Sequence, residues 1–172
     1  MNIILLGYMA SGKSNIGKKI ANLLNWQFVD LDDVISKKEG QSISDIFKNR
    51  GEIYFRKVES KYLQELIKKA HHTIISLGGG TPCYGNNMDL IKNTTGVKSI
   101  YLDVSIPELA KRLFTDKSQR PLVAHLTNLE DMTEFVGKHI FERIQFYNQA
   151  DLKINANHSI DETVEKIMLE LF

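Results

Sequence analysis

Short apolar runs alternate with longer helical patterns along this chain. The runs are rich in β-branched or aromatic residues and predict strands at 2–6, 27–31, 72–77, 97–104 and 151–156. The segments between them predict helices at 13–24, 32–38, 43–49, 52–70, 88–93, 107–114, 128–149 and 160–171. Alternating strands and helices favour a three-layer α/β fold, in which a doubly wound, five-stranded parallel sheet is flanked by helices on both faces.

The segment 52–70 is amphipathic. Its apolar residues recur at spacings of three and four, at Phe55, Val58, Tyr62, Leu63, Leu66 and Ile67. The charged residues fall largely on other faces and are expected to be mostly solvated; they are Arg56, Lys57, Glu59, Lys61 and Lys69. The stretch 115–126, "TDKSQRPLVAHL", is instead polar and interrupted by Pro121. A mobile loop between two helices is expected there.

The composition limits the number of domains and the classes of partner. A chain of 172 residues with 42% hydrophobic and 25% charged residues is typical of one domain, here 1–172. A net charge of +1 gives no overall attraction to nucleic acid or an anionic membrane, and no apolar run is long enough to span a membrane. Without a signal-like N-terminus a cytoplasmic protein is expected, and without a dimer-forming stripe a monomer. The one cysteine, Cys83, excludes an intrachain disulfide and is more typical of a small buried residue than of a reactive thiol.

The segment "GYMASGKS", from Gly7 to Ser14, follows the first predicted strand and precedes the first predicted helix. It fits the pattern G-x-x-x-x-G-K-[ST], in which backbone N–H groups and a helix N-terminus surround the phosphates of a nucleotide. In this pattern Lys13 bridges the β and γ phosphates of a nucleotide, and the Ser14 hydroxyl ligates Mg2+. The predicted phosphate contacts are Ala10, Ser11, Gly12, Lys13, Ser14 and Asn15.

Two acidic residues and three glycines follow the next strands, at the edge where a doubly wound sheet binds its ligands. Asp30 and Asp32 lie two residues apart at the end of the second strand, so at strand period they share a face. One acid would hold Mg2+ through water and the other would bind an acceptor hydroxyl; alternatively, one of them, or Asp33, only caps the next helix. A glycine triplet follows the third strand: Gly78, Gly79 and Gly80. Because these residues lack side chains, the ring of a ligand could lie directly against the backbone there. A structural turn would also explain the triplet.

The phosphate loop does not by itself select a reaction. No apolar strand ends in the Asp-Glu pair of ATPase motors, and the chain lacks the N-K-x-D motif of guanine recognition. These absences favour a kinase of small molecules over a motor or a guanine-nucleotide switch. A polyol kinase, such as one for gluconate, and a non-catalytic nucleotide-binding regulator remain open on these residues.

Six motifs spread over nearly the whole chain resemble the shikimate kinase family in order and spacing. They are "GYMASGKS" (7–14), "DLD" (30–32), "GEIYFRKVE" (51–59), "LGGG" (77–80), "RPLV" (120–123) and "ERIQFYNQAD" (142–151). The resemblance implies a P-loop kinase fold with a mobile lid at about 115–126 and a substrate-binding segment at about 32–60. It also implies the ATP-dependent phosphorylation of the 3-hydroxyl of shikimate, on the route to chorismate and aromatic amino acids.

The resemblance further implies how the acceptor is bound. Asp32 corresponds to the carboxylate that grips the shikimate hydroxyls. Arg56 and Arg143 correspond to the two arginines that hold the substrate carboxylate, a task that suits the planar guanidinium fork better than the point charge of lysine. The family's glycine triplet, which lies against the substrate, corresponds to Gly78, Gly79 and Gly80.

On the nucleotide side, Asp30 corresponds to the acid associated with Mg2+ and the reacting hydroxyl. Arg120 corresponds to the lid arginine that reaches over the phosphates. Arg112 corresponds to a residue next to the lid that stacks on adenine. The catalytic set implied by the resemblance is Lys13, Asp30, Asp32 and Arg120.

The chain departs from the family pattern at two positions. Ala10 stands where the family commonly has a second glycine, so its methyl group would narrow the phosphate loop slightly. Gln145 replaces a proline two residues after Arg143, so the local backbone there is expected to differ. The histidines match no metal-binding spacing and are expected to be surface or packing residues; they are His71, His72, His125, His139 and His158.

Overall fold

Five strands form one parallel sheet in the computed structural model, which describes residues 1–116, 118, 120 and 122–172. The strands are β1 (Asn2–Leu6), β2 (Gln27–Asp30), β3 (Thr73–Ser76), β4 (Val97–Asp103) and β5 (Leu152–Asn155). Their order across the sheet is β2-β3-β1-β4-β5, and every neighbouring pair is parallel. The predicted α/β sheet is confirmed, and each predicted strand lies within one residue of the observed bounds.

Helices of the described residues flank this sheet. They are α1 (Lys13–Leu24), α2 (Leu31–Glu39), α3 (Ile43–Lys69), α4 (Asn87–Asn93), α5 (Ile106–Asp116), α6 (Leu129–Tyr147) and α7 (Ile160–Leu171), with a short 3-10 turn at Thr81–Cys83. Side-chain caps explain where α3, α6 and α7 begin, because Ser42, Asn128 and Ser159 each accept a hydrogen bond from the backbone N–H three residues later. Within the described part of the chain, no helix is both long and apolar enough to cross a membrane.

α3 contains a sharp kink. At Gly51 the backbone takes φ of 81° and ψ of 171°, a conformation that is essentially restricted to glycine. The two helices predicted at 43–49 and 52–70 are joined at this kink. The kink separates the part of α3 that follows α2 from the part that carries Arg56.

β1 lies in the middle of the sheet and is buried along its whole length. Its apolar residues Ile3, Ile4, Leu5 and Leu6 have no exposed surface, as expected for a strand that is covered by helices on both faces. β3 pairs with one side of β1 and β4 with the other, so the strand order reverses beside β1. In doubly wound sheets this reversal opens a crevice beyond the carboxyl ends of the strands, where ligands bind.

One expectation about α3 is wrong. The amphipathic pattern predicts a solvated Glu59, yet this residue is 1% exposed, and Arg56 is half-buried. The reason is that Glu59 accepts hydrogen bonds from Arg56 and from Thr81, in the turn after β3, and the helical pattern alone does not reveal these partners.

Candidate active site

The loop at residues 7–14 joins the buried end of β1 to the first turn of α1. Gly12 is the N-cap of α1 and takes a left-handed conformation, with φ of 93°. The first N–H groups of a helix have no partner within the helix, so this end of α1 is available to an anion. Ala10 is left-handed as well, with φ of 63°, a conformation that strains alanine and that glycine adopts freely. The loop has the geometry of a phosphate cradle, and it keeps that geometry with a methyl group at Ala10.

The Lys13 side chain folds back along this loop. It is 9% exposed, and its Nζ donates to the backbone carbonyls of Gly7, at 2.8 Å, and Tyr8, at 2.9 Å. Burial lowers the pKa of Lys13 to about 8, an effect that the negative charges of Asp30 and Asp32 oppose. The buried ammonium group therefore lies on the inner side of the loop, within the field of the two acids.

Asp30 ends β2 and connects the phosphate loop with α2. Its Oδ1 accepts a hydrogen bond from the backbone N–H of Asp32, at 3.0 Å, and its Oδ2 accepts one from the Ser14 hydroxyl, at 3.1 Å. The alternative that one acid caps the next helix is therefore correct for Asp30, although the cap leaves the second oxygen for Ser14. The expectation that Asp30 and Asp32 share a strand face is wrong, because β2 ends at Asp30 and Asp32 lies in the first turn of α2.

Ser14 and Asp30 form a donor set that suits one particular cation. Among the described residues, no group of three or more His, Cys, Asp or Glu side chains is arranged to hold a metal ion. The Ser14 hydroxyl and the Asp30 carboxylate are hard oxygen donors in mutual contact. Mg2+ is usually bound through one or two such protein oxygens together with phosphate oxygens and water, so the pair fits Mg2+ beside a bound nucleotide.

Asp32 lies in surroundings that disfavour its ionised form. Burial, together with the neighbouring negative charges of Asp30 and Glu59, raises the pKa of Asp32 to about 6. Lys13 acts in the opposite direction. A carboxyl group whose pKa is displaced towards neutrality by burial and like charge is typical of a functional cleft.

Each glycine of the triplet at 78–80 lies against one of the predicted acceptor-binding side chains. A β-carbon on the first glycine would lie 3.3 Å from Oδ1 of Asp32. On the second glycine it would lie 3.4 Å from Nη1 of Arg143, and on the third only 2.8 Å from Nη2 of Arg56. The missing side chains therefore allow one carboxylate and two guanidinium groups to approach the same stretch of backbone.

Arg56 is held by a buried acid. Its Nη1 donates to Oε2 of Glu59 at 2.9 Å, and Oε1 of Glu59 accepts a hydrogen bond from the Thr81 hydroxyl at 2.7 Å. The guanidinium group also lies 3.9 Å from the centre of the Tyr84 ring. Sequence reasoning missed this role of Glu59; the signal was an acid three residues after a candidate arginine, flanked by apolar positions of the same helix.

Arg143 reaches the site from α6, and its guanidinium lies against Gly79. Its guanidinium lies 5.6 Å from the centre of the Tyr8 ring, which belongs to the phosphate loop. Arg56 and Arg143 thus come from different helices and meet at consecutive glycines. Gln145, where the family pattern has proline, is exposed and lies within α6. The helix continues without a break at this position.

At the nucleotide end, Arg112 connects three segments of the chain. Its Nε donates to Glu108 at 2.9 Å, its Nη1 to the carbonyl of Ala10 and its Nη2 to the carbonyl of Ala156, both at 3.2 Å. Arg120 is half-buried and lies close enough to Lys13 to contribute to lowering the pKa of that lysine.

A cavity of about 630 Å³ contains most of the predicted site residues. The phosphate loop, Asp30, Asp32, Arg112 and Arg120 line it, together with the first two glycines of the triplet. Arg56, Gly80 and Arg143 are not among the residues that line this cavity, although both arginines lie against the triplet. The lining also contains residues that sequence reasoning missed, although they follow β5 or lie on α5 at the same edge: Glu108, Lys111, Ala156, His158 and Ile160.

A phosphate loop that faces an arginine-lined pocket across the carboxyl edge of a parallel sheet is the arrangement of P-loop kinases that act on small molecules, and this chain has it. A family model described as shikimate kinase matches residues 9–172. The chain belongs to the shikimate kinase family.

Known proteins from several bacteria support this membership. The chain is 46% identical to a shikimate kinase of Flavobacterium johnsoniae, over 96% of each chain. It superposes on the crystal structure of shikimate kinase from Bacteroides thetaiotaomicron with a TM-score of 0.91 and 33% identity, covering 99% of each chain. It also superposes on the shikimate kinase of Acinetobacter baumannii in complex with shikimate, with a TM-score of 0.84 and 29% identity, covering 99% of this chain and 92% of the other.

Proposed function

We propose that this chain transfers the γ-phosphoryl group of ATP to the 3-hydroxyl of shikimate. The observation that carries the proposal is the glycine triplet at 78–80, against which Asp32, Arg56 and Arg143 converge across the sheet edge from the phosphate loop. Shikimate offers a carboxylate and ring hydroxyls. Two guanidinium forks suit the carboxylate, and the buried carboxyl of Asp32 suits the hydroxyls.

The phosphate loop and the cavity wall hold the nucleotide in this proposal. The helix N-terminus at α1 and the buried ammonium of Lys13 stabilise the phosphates. Arg112 lies where the adenine end would enter, between the phosphate loop and the segment after β5. The nucleotide-binding residues are Ala10, Ser11, Gly12, Lys13, Ser14, Asn15, Arg112 and Arg120.

Ser14 and Asp30 hold Mg2+ in this proposal, because they form the pair of hard oxygen donors beside the phosphate loop. When bound, the cation neutralises charge on the phosphate oxygens. The α2 cap fixes one oxygen of Asp30 and leaves the other directed at Ser14, so the pair is held ready before the nucleotide arrives.

Catalysis follows from position and charge. Phosphoryl transfer needs the acceptor hydroxyl in line with the γ-phosphate, together with positive charge around the spreading negative charge of the transition state. Asp32 orients the acceptor hydroxyl next to Asp30, and the two arginines fix the far end of the ring. Lys13 and Arg120 supply charge to the transferring group.

We also propose the remaining features of the molecule that the composition, the sequence pattern and the family resemblance predict. Residues 1–172 form one domain that works as a monomer in the cytoplasm, with an acceptor-binding segment at about 32–60. A lid at about 115–126 carries Arg120 and closes over ATP, because closure excludes water that would otherwise hydrolyse the bound nucleotide. Of this segment, Lys117, Gln119 and Pro121 lie outside the described residues.

The test is ADP release from Mg-ATP by the purified protein with shikimate, with gluconate and without an acceptor. We expect release to depend strongly on shikimate and the product to be shikimate 3-phosphate. A response to gluconate alone would identify a polyol kinase, and nucleotide binding without any acceptor-dependent release would indicate a regulator. Either result would contradict the proposal.

A further inference from the structure

One face of α6 carries the residues that border the acceptor site. Phe135, His139, Arg143 and Tyr147 follow one another at intervals of four, so their side chains lie along the same side of the helix. Arg143 is therefore preceded and followed, one turn away on each side, by a residue that can anchor this helix.

The turn before Arg143 is anchored to the phosphate loop. The Tyr8 hydroxyl lies 2.9 Å from Nδ1 of His139, within hydrogen-bonding distance. Tyr8 is 1% exposed, and its ring extends under the Arg143 guanidinium at 5.6 Å. A phenylalanine would fill the same space and keep the ring contact, but it would leave His139 without this partner.

The turn after Arg143 is anchored to the glycine triplet. Tyr147 is fully buried, and its hydroxyl donates to the backbone carbonyl of Gly79 at 2.6 Å. Gly79 is the glycine against which the Arg143 guanidinium lies. The same tyrosine therefore fixes both the helix that carries the arginine and the backbone that the arginine faces.

We propose that Tyr8 and Tyr147 are positioning residues for the substrate carboxylate. Their hydroxyls fix α6 against the phosphate loop and the triplet, so that Arg143 is held in place before the acceptor binds. This inference rests on the proposed function, since it assigns the carboxylate to Arg143. Preorganisation of this kind lowers the cost of ordering a long side chain when its ligand arrives.

The chain offers a matched control for Tyr147. Tyr101 is also buried, its ring stacks on that of Tyr147 at 5.1 Å, and its hydroxyl donates to Asp103 rather than to the triplet. Tyr147→Phe and Tyr101→Phe each remove one hydroxyl from the same stacked pair. Only the first removes an anchor of the acceptor site.

We expect Tyr147→Phe to raise the KM for shikimate about three- to tenfold, the range expected for one hydrogen bond, with the KM for ATP changing less than twofold. Tyr8→Phe is expected to raise the KM for shikimate by more than the KM for ATP. Tyr101→Phe is expected to leave both constants within twofold of the wild type. Equal increases in the KM for shikimate in Tyr147→Phe and Tyr101→Phe would overturn the proposal.

A double-variant comparison separates positioning from a general structural effect. If Tyr147 acts through Arg143, then adding Tyr147→Phe to Arg143→Ala should change the KM for shikimate less than twofold, because the group it positions is already absent. The same increase in both backgrounds would show that Tyr147 acts independently of Arg143 and would refute the inference.

A spectroscopic measurement tests the positioning without turnover. The Nε–Hε NMR signal of Arg143 in the otherwise intact protein should shift or broaden in Tyr147→Phe and in Tyr8→Phe, and stay unchanged in Tyr101→Phe. If the Arg143 signal is unchanged in both Tyr147→Phe and Tyr8→Phe, the inference is wrong even if the enzyme phosphorylates shikimate. Conversely, failure of the proposed function would be seen in the wild type, as ADP release that does not respond to shikimate.

Discussion

The buried carboxyl of Asp32 makes the folded protein sensitive to pH. Its folded-state pKa is raised to about 6 from 3.8, mainly by burial. For a raised pKa, the contribution to stability is complete below the unfolded value and is lost as the pH rises through the folded value. At neutral pH, the buried ionised carboxylate of Asp32 therefore lowers the free energy of unfolding, as is typical of functional groups in clefts.

We expect Asp32→Asn to be more stable than the wild type by about 1–3 kcal/mol at pH 8, and by less at pH 5, while losing activity with shikimate. Urea unfolding at the two pH values measures the difference. The control is Asp89→Asn, an exposed acid in the first turn of α4 that is not among the charges acting on the Asp32 pKa, and its effect on stability at pH 8 should be the smaller of the two. A less stable Asp32→Asn at pH 8 would mean that the ionised carboxylate is favourably held.

The pairing of Arg56 with Glu59 affects how any Arg56 variant must be interpreted. Arg56→Ala should raise the KM for shikimate at least tenfold and leave the KM for ATP nearly unchanged. It should also destabilise the fold by about 2–4 kcal/mol, because Glu59 is 1% exposed and loses its charged partner.

The double variant Arg56→Ala, Glu59→Gln separates these two effects. Neutralising the buried acid should restore most of the free energy of unfolding, while the KM for shikimate stays high. Urea unfolding and steady-state kinetics on both variants provide the comparison. If the KM for ATP rises as much as that for shikimate, Arg56 does not belong to the acceptor site.

For individual residues, the sequence predicted those that are marked by local motifs and missed those that depend on distant partners. Lys13, Ser14 and Asp30 follow from a short pattern and from the end of a strand. Glu59 depends on Thr81, which is 22 residues away, and Tyr8 on His139, which is 131 residues away. The local sequence pattern does not show which distant residues these polar groups contact, so Thr81 and His139 could not be predicted as their partners.

Among the elements, α3 depends on a single backbone position. Gly51→Ala places an alanine at φ of 81° and ψ of 171°, a backbone conformation that is strained for any residue with a β-carbon. The new β-carbon meets no atom within 4 Å, so the strain comes from the backbone alone. We expect a loss of about 1–3 kcal/mol and a fall in Tm of about 2–10 °C. Differential scanning calorimetry measures both.

The matched control is Gly137→Ala, which also meets no atom within 4 Å but lies in the regular interior of α6. Since alanine is the better helix former, the same chemical change is expected to raise stability here by about 0.5–1 kcal/mol. Destabilisation at both positions would argue against a backbone origin of the Gly51 effect.

The bounds of most elements could be predicted because their causes are local. An apolar run sets the ends of β1, left-handed Gly12 and Asn25 bound α1, and the Ser159 side chain caps the start of α7; the predicted bounds of all three agree with the observed ones. The kink in α3 was visible only as a break between two helices, since its cause is a backbone angle. Asp32 was assigned to a strand face because the pattern does not show that a cap at Asp30 starts a helix one residue later.

For the whole molecule, the cavity is lined by segments that follow β1, β2, β3 and β5, so a ligand bound there contacts distant parts of the chain. Ligands that bind only the folded state raise its stability by RT ln(1 + [L]/Kd), about 2.7 kcal/mol at one hundred times Kd. With ADP and Mg2+ present, so that no turnover occurs, Tm should rise steadily with the logarithm of the shikimate concentration. Differential scanning fluorimetry checks this.

The Arg56→Ala, Glu59→Gln variant is the control for that titration. It should keep the rise in Tm with ADP and lose most of the rise with shikimate. A wild-type Tm that does not respond to shikimate at any concentration would contradict the assignment of the acceptor pocket.

Alternation of strands and helices was enough to predict a parallel sheet, but it does not determine the order of the strands. That order depends on long-range pairing, such as Ile3 with Ile74 and Ile4 with Ser99. The meeting of Arg56 and Arg143 at the triplet is a consequence of this order, which is why the two arginines could be assigned by family resemblance and not by spacing.

The central place of β1 also affects how the chain folds during synthesis. β1 is made first, yet both of its neighbours, Thr73–Ser76 and Val97–Asp103, come much later. At translation rates of about 5–20 residues per second, the apolar run "NIILL" waits roughly 4–14 s before β3 has been made. An unpaired apolar strand is prone to aggregate during such a delay, so the nucleotide-binding strand is where a nascent chain of this protein would most need a chaperone.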